Sequence, residues 1–389
     1  MATKNKKVAS GVAWVAEGLL LLVVLMLLTS TPTSVHAHET EGQKVEEEEQ
    51  GLLHKRIIEG EVVEEGEEYP WMGILYVVHP QLDPGQPIWR TRNCGCSLIA
   101  SQYVLTAAHC FEEVRADVGG ASASDFRAVF GLRDLRQLTV GQAEEELRVH
   151  GEVASSRRRV FQVELGVIDH RFRGDDSFVV GDTALLKLRQ KVVAGSGLVP
   201  VRLPLSLSIE QQQEQWTGRP VSMMGWGRTD GRDPATTSPV LRITRRLFVQ
   251  SQEECVASVR ASAEALGEST SFTASEAQLW VCAASNPVGA SGASVGDSGG
   301  PLFLEDENGE GPMQIGVMSF GRDYPWASPN GQTYPNVWTR ISPDWLQQQV
   351  RVTGGSLEDP PEAAEDGADV EDHGGSGSLL ASCLLRFLV

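Results

Sequence analysis

One run of small residues restricts what this chain can form more than any other stretch: Gly296-Asp297-Ser298-Gly299-Gly300-Pro301. Its glycines allow the backbone to turn tightly around Ser298 and to approach a bound molecule closely, because they carry no side chain. A serine hydroxyl is a poor nucleophile at neutral pH, and it needs a base and an anion that orients the base. The run alone could also be an ordinary turn, so its meaning depends on the residues upstream.

A histidine and an aspartate occur upstream of this serine. His109 lies in the sequence Thr-Ala-Ala-His-Cys, and Asp182 begins the sequence Asp-Thr-Ala-Leu-Leu. Imidazole can serve as the base for a serine nucleophile, and a carboxylate can orient the imidazole. We therefore predict one site built from His109, Asp182 and Ser298.

These motifs, with Arg56-Ile57-Ile58-Glu59-Gly60 ahead of them, resemble those of the chymotrypsin-like (trypsin) family of serine endopeptidases. The resemblance extends from about Ile57 to about Gly354. It implies an all-β fold of two antiparallel six-stranded β-barrels, with the active site in the cleft between them and a C-terminal helix. It places His109 and Asp182 on the first barrel and Ser298 on the second. We expect no cofactor and no metal. A calcium site is doubtful, because Leu132 stands where calcium-binding members of the family carry a glutamate.

The resemblance also implies a reaction. Ser298 would attack the carbonyl of a peptide bond, His109 would act as base and then as acid, and Asp182 would orient His109. The backbone amides of Gly296 and Ser298 would bind the oxyanion. The expected partners are protein or peptide substrates.

The pattern after residue 57 favours strands. Short apolar runs rich in β-branched and aromatic residues are separated by Gly, Pro, Asn and Asp. Examples are residues 73–78, 97–99, 103–105, 129–131, 221–227 and 314–319. One helix is predicted at Pro343–Val350. Residues 80–93 and 140–175 are predicted to be surface loops near the cleft, which either carry substrate selectivity or are tolerated insertions.

The two ends of the chain differ from its middle. Residues 1–37 combine early lysines, an apolar run and a cleavage site after Ala37, which is typical of a secretory signal, with an uncleaved membrane anchor as the alternative. We divide the remainder into an acidic pro-segment at 38–56, a protease domain at 57–353 and an acidic, Gly-rich tail at 354–389. The short apolar end of the tail is either loose or a lipid-anchor signal. We expect a secreted, extracellular monomer.

The pro-segment has a role under the resemblance. Cleavage after Arg56 would free the amine of Ile57, which would pair with Asp297 beside the nucleophile. The chain is therefore expected to be made as an inactive precursor.

The formal net charge of −19 is concentrated near the two ends of the chain. So large a negative charge argues against nucleic acid or an anionic membrane surface as a partner.

The chain has six cysteines. The resemblance implies disulfides Cys94–Cys110 and Cys255–Cys282, each worth about 2–4 kcal/mol. Disulfides imply an oxidising compartment. Cys96 and Cys383 are left over, and Cys96 is expected to be a buried free thiol.

Counting from Ser298, the resemblance locates the pocket for the substrate side chain before the cut. Trypsin-like members carry an aspartate where this chain has Gly292, so a Lys or Arg side chain would be buried without a counter-charge. Gly292 would form the floor of the pocket, and its walls would be Ser319-Phe320-Gly321 and Pro335-Asn336-Val337-Trp338. Asn336 replaces a small residue and either narrows the pocket or adds a polar group. We expect a neutral side chain there, apolar or medium-sized. Because the activation site ends in Arg56, we also expect activation by a separate trypsin-like protease.

The alternative function is that of a non-catalytic protease homologue acting as a binding or adaptor protein. The atypical pocket favours it. Such homologues usually lack a residue of the triad, however, and His109, Asp182 and Ser298 are all present.

Overall fold

The computed structural model describes residues 60–357, with gaps at 92, 118–119, 151–158, 175–177, 230–233, 266, 268, 286–290, 306–308 and 322–334. The predicted signal peptide, the pro-segment with Arg56, the new terminus at Ile57, and Cys383 therefore lie outside the described residues. Within the described part, no helix is long and apolar enough to cross a membrane.

Strands dominate the described part of the chain. In order they are β1 (Glu61–Val62), β2 (Met72–Val77), β3 (Asn93–Ala100), β4 (Tyr103–Thr106), β5 (Phe126–Phe130), β6 (Val160–Ile168), β7 (Arg173–Gly174), β8 (Val179–Val180), β9 (Ala184–Leu188), β10 (Pro220–Gly225), β11 (Arg242–Val249), β12 (Trp280–Ser285), β13 (Pro301–Leu304), β14 (Met313–Phe320) and β15 (Asn336–Arg340).

The first barrel contains six antiparallel strands in the order β2-β3-β4-β9-β6-β5. It closes because β2 pairs with both β3 and β5: Leu75 lies opposite Cys94 on one side and Ala128 on the other. Leu98 and Val104 are fully buried within it.

The second barrel has the order β11-β10-β13-β14-β15-β12, and β12 pairs back to β11. The short strand β1 pairs with the start of β11. Leu302, Ile315 and Trp338 are fully buried. The predicted fold class, two closed six-stranded antiparallel barrels, is confirmed.

Helices connect the strands. They are α1 (Ala108–Asp117), α2 (Val140–His150), α3 (Ile209–Trp216), α4 (Gln252–Ala265), α5 (Ala274–Ala277) and α6 (Pro343–Val352). The predicted C-terminal helix corresponds to α6, which buries Trp345, Leu346 and Val350. Just after it, the hydroxyl of Thr353 lies 3.0 Å from that of Tyr103, so the end of the domain is tied to the first barrel.

The prediction of a surface loop at residues 140–175 was wrong, because this segment contains α2 and β6. Among the described side chains of α2, only those of Val140 and Ala143 are buried, and two such positions are too few to show helical periodicity. Strand β6 buries its first half, but Glu164 and Leu165 are exposed. Residues 161–167, Phe-Gln-Val-Glu-Leu-Gly-Val, alternate apolar residues with polar ones or glycine, so the sequence does carry a strand pattern here, which the prediction missed.

Candidate active site

Strand β4 ends at Thr106, and the chain continues almost directly into the first turn of α1, which carries His109. The next residue, Cys110, forms a disulfide with Cys94 of β3. This bond closes the loop that holds the histidine. The second disulfide, Cys255–Cys282, joins α4 to β12. The two bonds are the pairs that the family resemblance implied.

Asp182 lies just before β9 and is fully buried. Its Oδ1 accepts a hydrogen bond from the backbone amide of His109 at 2.9 Å, and its Oδ2 lies 2.7 Å from His109 Nδ1. Ser319 of β14 donates its hydroxyl hydrogen to the same Oδ2 at 2.6 Å. Because an ionised carboxylate can only accept, Nδ1 carries a proton, and in the neutral form of the imidazole Nε2 has the lone pair.

The carboxyl group of Asp182 stays ionised in spite of its burial. Burial alone raises the pKa, but the positive charge of His109 and the hydrogen bonds from His109 and Ser319 outweigh it. The pKa of Asp182 therefore lies below its ordinary value. A buried anion that fixes an imidazole can also offset the charge that the imidazole gains with a proton.

Ser298 lies in a turn whose backbone requires glycine. Gly296 and Gly299 have φ angles of +100° and +77°, in the region that side chains other than glycine avoid. A Cβ atom on Gly299 would clash with the carbonyl oxygen of Gly95 and the hydroxyl of Thr106. In addition, the Gly95 amide donates to the carbonyl oxygen of Ser298 at 2.7 Å. The first barrel thus holds the turn that the second barrel supplies.

Ser298, His109 and Gly296 line one open cleft with a volume of about 710 Å³. Ser298 is only partly buried. The backbone amides of Gly296 and Ser298 donate to no acceptor within the described residues. The cleft therefore brings together an accessible alcohol, an imidazole that can act as a base and two amide donors. These are the groups needed to attack a carbonyl and to stabilise the resulting oxyanion.

Asp297, the neighbour of Ser298, is fully buried. Its two carboxylate oxygens accept hydrogen bonds from the amides of Gly227 and Ser294, both at 2.9 Å. The backbone at Gly225 and Gly227 passes so close that a Cβ atom at either position would overlap the carboxylate. The Asp297 carboxylate therefore stabilises the turn at Ser298 through hydrogen bonds with residues of the second half of the chain.

The predicted side-chain pocket is crossed by Asn336, which is 8% exposed. Its Oδ1 accepts from the Ala293 amide at 2.9 Å. A Cβ atom on Gly292 would clash with this Oδ1, and a Cβ atom on Gly321 would clash with Nδ2. The side chain of Asn336 thus occupies the space between Gly292, the expected floor of the pocket, and Gly321, part of an expected wall.

Two residues named in the sequence analysis have contacts that it missed. Ser319 was expected to serve only in substrate binding, but its hydroxyl contacts Asp182, which is 137 positions away in the chain. Phe320 packs against Trp280, with ring centroids 5.9 Å apart. Neither contact has a local sequence signal, because both depend on how distant strands pair. Trp89 and Arg90, from the loop expected near the cleft, do line it.

Cys96 is a free and fully buried thiol, as expected, and burial raises its pKa. Cys94, His109 and Cys110 also lie close together. The two sulfur atoms of that group are bonded to each other, so they offer no thiolate to a metal.

The two closed barrels and the His–Asp–Ser cleft define a serine protease. Residues 57–346 match the model of the Trypsin family. This match covers most of the chain, and the chain belongs to the trypsin family of serine proteases.

Several known proteases are similar to it. Testisin from Homo sapiens is 30% identical over 350 residues, which cover 89% of this chain and 93% of testisin. Melanization protease 1 from Drosophila melanogaster is 27% identical over 299 residues, which cover 73% of this chain but only 63% of that protein. Chymotrypsin from Phaedon cochleariae is 26% identical over 284 residues, which cover 72% of this chain and 80% of the relative. The chain thus spans less than two thirds of the length of melanization protease 1.

Proposed function

We propose that this protein is a secreted endopeptidase that hydrolyses peptide bonds through an acyl-enzyme at Ser298. The observation that carries the proposal is the position of His109. Buried Asp182 orients its ring, and the same ring lines the cleft that contains Ser298.

In the proposed reaction, Ser298 Oγ attacks the carbonyl carbon of the scissile bond while His109 Nε2 takes the hydroxyl proton. The amides of Gly296 and Ser298 donate hydrogen bonds to the oxyanion. The imidazolium then gives its proton to the leaving amine, the C–N bond breaks, and the acyl group remains on Ser298. A water molecule deprotonated by His109 releases the acid and restores the alcohol. Asp182 stays ionised throughout.

The primary specificity is proposed to be for a neutral, small side chain before the cut. Gly292 supplies no anion for Lys or Arg, and burying either charge without a partner is unfavourable by several kcal/mol. Asn336, held by Ala293, takes up room that a large side chain would need.

Activation is proposed to follow cleavage after Arg56. The new amine of Ile57 would pair with Asp297, whose carboxylate already holds the turn next to Ser298. Because the pocket does not suit arginine, a separate trypsin-like protease would make this cut. Purified precursor incubated alone should stay uncut; concentration-dependent cleavage after Arg56 that Ser298→Ala abolishes would show self-activation instead.

The decisive experiment uses a fluorophosphonate probe on the protein cleaved after Arg56. The probe should label Ser298, and turnover of a peptide with Ala before the cut should fall by several orders of magnitude in Ser298→Ala and in His109→Ala. Ser275→Ala, which removes an exposed hydroxyl of α5, should leave both unchanged. A protein that is correctly cleaved and folded but neither labelled nor active would instead be a non-catalytic binding protein.

The remaining features of the proposal concern the two ends of the chain, most of which lie outside the described residues. Residues 1–37 would direct secretion, 38–56 would be released or displaced on activation, and 354–389 would form a tail on the domain at 57–353. Analysis of the secreted protein by N-terminal sequencing and sedimentation would test these boundaries and the expected monomer.

A further inference from the structure

The cleft extends from Ser298 into a region with a distinct charge. Its lining includes Trp89, Arg90, Asn93 and Arg228, and the described residues that line it include no carboxylate. Such a surface is notable in a chain whose formal net charge is −19.

The position of this region relates it to one side of the scissile bond. The residues proposed to hold the side chain before the cut, Gly292 and Asn336, do not line this cleft, whereas Ser298 and His109 do. A peptide whose acyl side enters the pocket at Gly292 must leave Ser298 in the other direction. The cleft therefore receives the residues after the cut, on the leaving-group side.

The two arginines are available to a ligand. Within the described residues neither guanidinium forms an ion pair, whereas others do: Arg173 Nε lies 2.7 Å from Glu276 Oε1. The Arg90 guanidinium lies 4.8 Å from the centre of the Trp89 ring, a contact that leaves its N–H groups free to bind an anion. Arg228 is anchored through its backbone amide, which donates to Val295 O at 2.8 Å, directly before Gly296.

We propose that Arg90 and Arg228 form a subsite for acidic side chains in the first positions after the scissile bond. The substrate class is thus a peptide with a small neutral residue before the cut and Asp or Glu shortly after it. Guanidinium groups bind carboxylates with charge-assisted and often bidentate hydrogen bonds. The protein has a formal net charge of −19, so acidic peptides are repelled by the chain as a whole. The cleft with Arg90 and Arg228 is complementary in charge to such peptides. The inference rests on the proposed function.

Quenched fluorescent peptides with identical residues up to an Ala before the cut provide the test. After the cut they carry Ala-Asp-Glu, Ala-Asn-Gln or Ala-Lys-Lys. For the full chain cleaved after Arg56, kcat/KM should be about 3- to 10-fold higher for the acidic peptide than for its amide counterpart, the range that two exposed ion pairs allow. The ratio should fall as salt is raised from about 0.05 M to about 0.5 M, because added ions screen exposed charges.

Substitutions of the two arginines test whether they cause the preference for the acidic peptide. Arg90→Gln/Arg228→Gln should bring the ratio close to one, and Arg90→Glu/Arg228→Glu should favour the Lys-Lys peptide. Arg189→Gln, an exposed arginine that does not line the cleft, should retain the ratio. Equal cleavage of the acidic and amide peptides, or a ratio that survives the double substitution, overturns the subsite.

Failure of the proposed function is distinguished by a second measurement. If no peptide is cleaved and the fluorophosphonate probe does not react, the same peptides carrying an uncharged dye are compared for binding to the Ser298→Ala protein by fluorescence anisotropy. Tighter binding of the acidic peptide, lost in Arg90→Gln/Arg228→Gln, supports the subsite without catalysis. Equal binding of the acidic and amide peptides overturns it.

Discussion

Ser319 Oγ donates a hydrogen bond to Asp182 Oδ2 at 2.6 Å, so a strand of the second barrel holds the carboxylate that the first barrel supplies. Both groups are buried. Their contact means that the orientation of His109 depends on residues from both barrels.

Replacing Ser319 by Ala should weaken both folding and catalysis. The loss of a hydrogen bond to a buried anion is expected to lower the free energy of unfolding at pH 7 by about 1.5–3 kcal/mol. The lowered pKa of Asp182 determines the pH dependence. Stabilisation of a carboxylate is present above its unfolded pKa of about 3.9 and is lost as the pH falls through the lower folded value, so the difference should shrink below about pH 4.

Urea denaturation of both proteins between pH 3 and 7, with kcat/KM at neutral pH, measures these effects. Ser319→Thr keeps a hydroxyl and should recover most of the activity. A Ser319→Ala protein as stable and active as the unmodified one at pH 7 would show that the hydrogen bond contributes nothing.

Gly299→Ala should inactivate the enzyme, because a Cβ atom would meet Gly95 O and Thr106 Oγ1 and push the turn at Ser298 out of place. We expect kcat to fall by about 100-fold or more, as for a misplaced nucleophile. Gly218→Ala is the matched control: its φ is +79°, but nothing lies within 4 Å of the added atom. It should cost about 1–2 kcal/mol of stability from backbone strain alone and leave kcat unchanged. Equal kcat in the two variants would contradict this account of the turn.

Asn336→Gly should widen the pocket between Gly292 and Gly321. The ratio of kcat/KM for a peptide with Phe before the cut to that with Ala should rise by about 10-fold or more, since each additional buried methylene is worth about 0.8 kcal/mol. Asn336→Leu places a somewhat larger side chain in the same space and removes the hydrogen bond from the Ala293 amide, and it should not raise the ratio. If the unmodified enzyme already prefers Phe to Ala, Asn336 does not limit the pocket.

Glu276 gives an independent pH prediction. The side-chain hydrogen bond from Arg173, followed by those from Thr273, lowers the pKa of Glu276 to about 2. A lowered folded pKa stabilises the protein above the unfolded value of about 4.3, and this stabilisation disappears as the pH falls towards the folded value. Glu276→Gln should therefore be less stable than the unmodified protein at pH 7, by under about 1 kcal/mol because the pair is solvent-screened.

The difference should close between about pH 4.3 and 2, the interval set by the unfolded and folded values. Denaturant titrations at several pH values check this, with Glu264→Gln as the control for an exposed carboxylate on α4. A stability difference that does not change with pH would rule out titration of Glu276 as its source.

Much of the fold could be predicted from the sequence where local pattern and burial agree. Residues 221–227 and 314–319 were expected to be strands, and β10 and β14 cover 220–225 and 313–320. Their residues are almost all buried, so the apolar run itself marks the strand. Strand β6 also has a local pattern, because apolar residues alternate with polar ones or glycine over residues 161–167. The register shift between Val163 and Leu165 and the exposure of Leu165 are not contained in that pattern, because they depend on the pairing with β9.

The site, too, contains residues that a local motif predicts and contacts that no local motif predicts. His109, Asp182 and Ser298 could be named because each lies within a short, recognisable motif. The contact between Ser319 and Asp182 could not, and neither could the meeting of Arg90 with Arg228 in one cleft. These relationships arise only when the two barrels are placed side by side.

The hydrogen bond from the Gly95 amide to the Ser298 carbonyl has a consequence for how the molecule fails. Ser298 belongs to the second barrel, but a residue of the first barrel fixes its backbone. A small shift of one barrel relative to the other would therefore displace the Ser298 hydroxyl and abolish activity, even if both barrels remained folded.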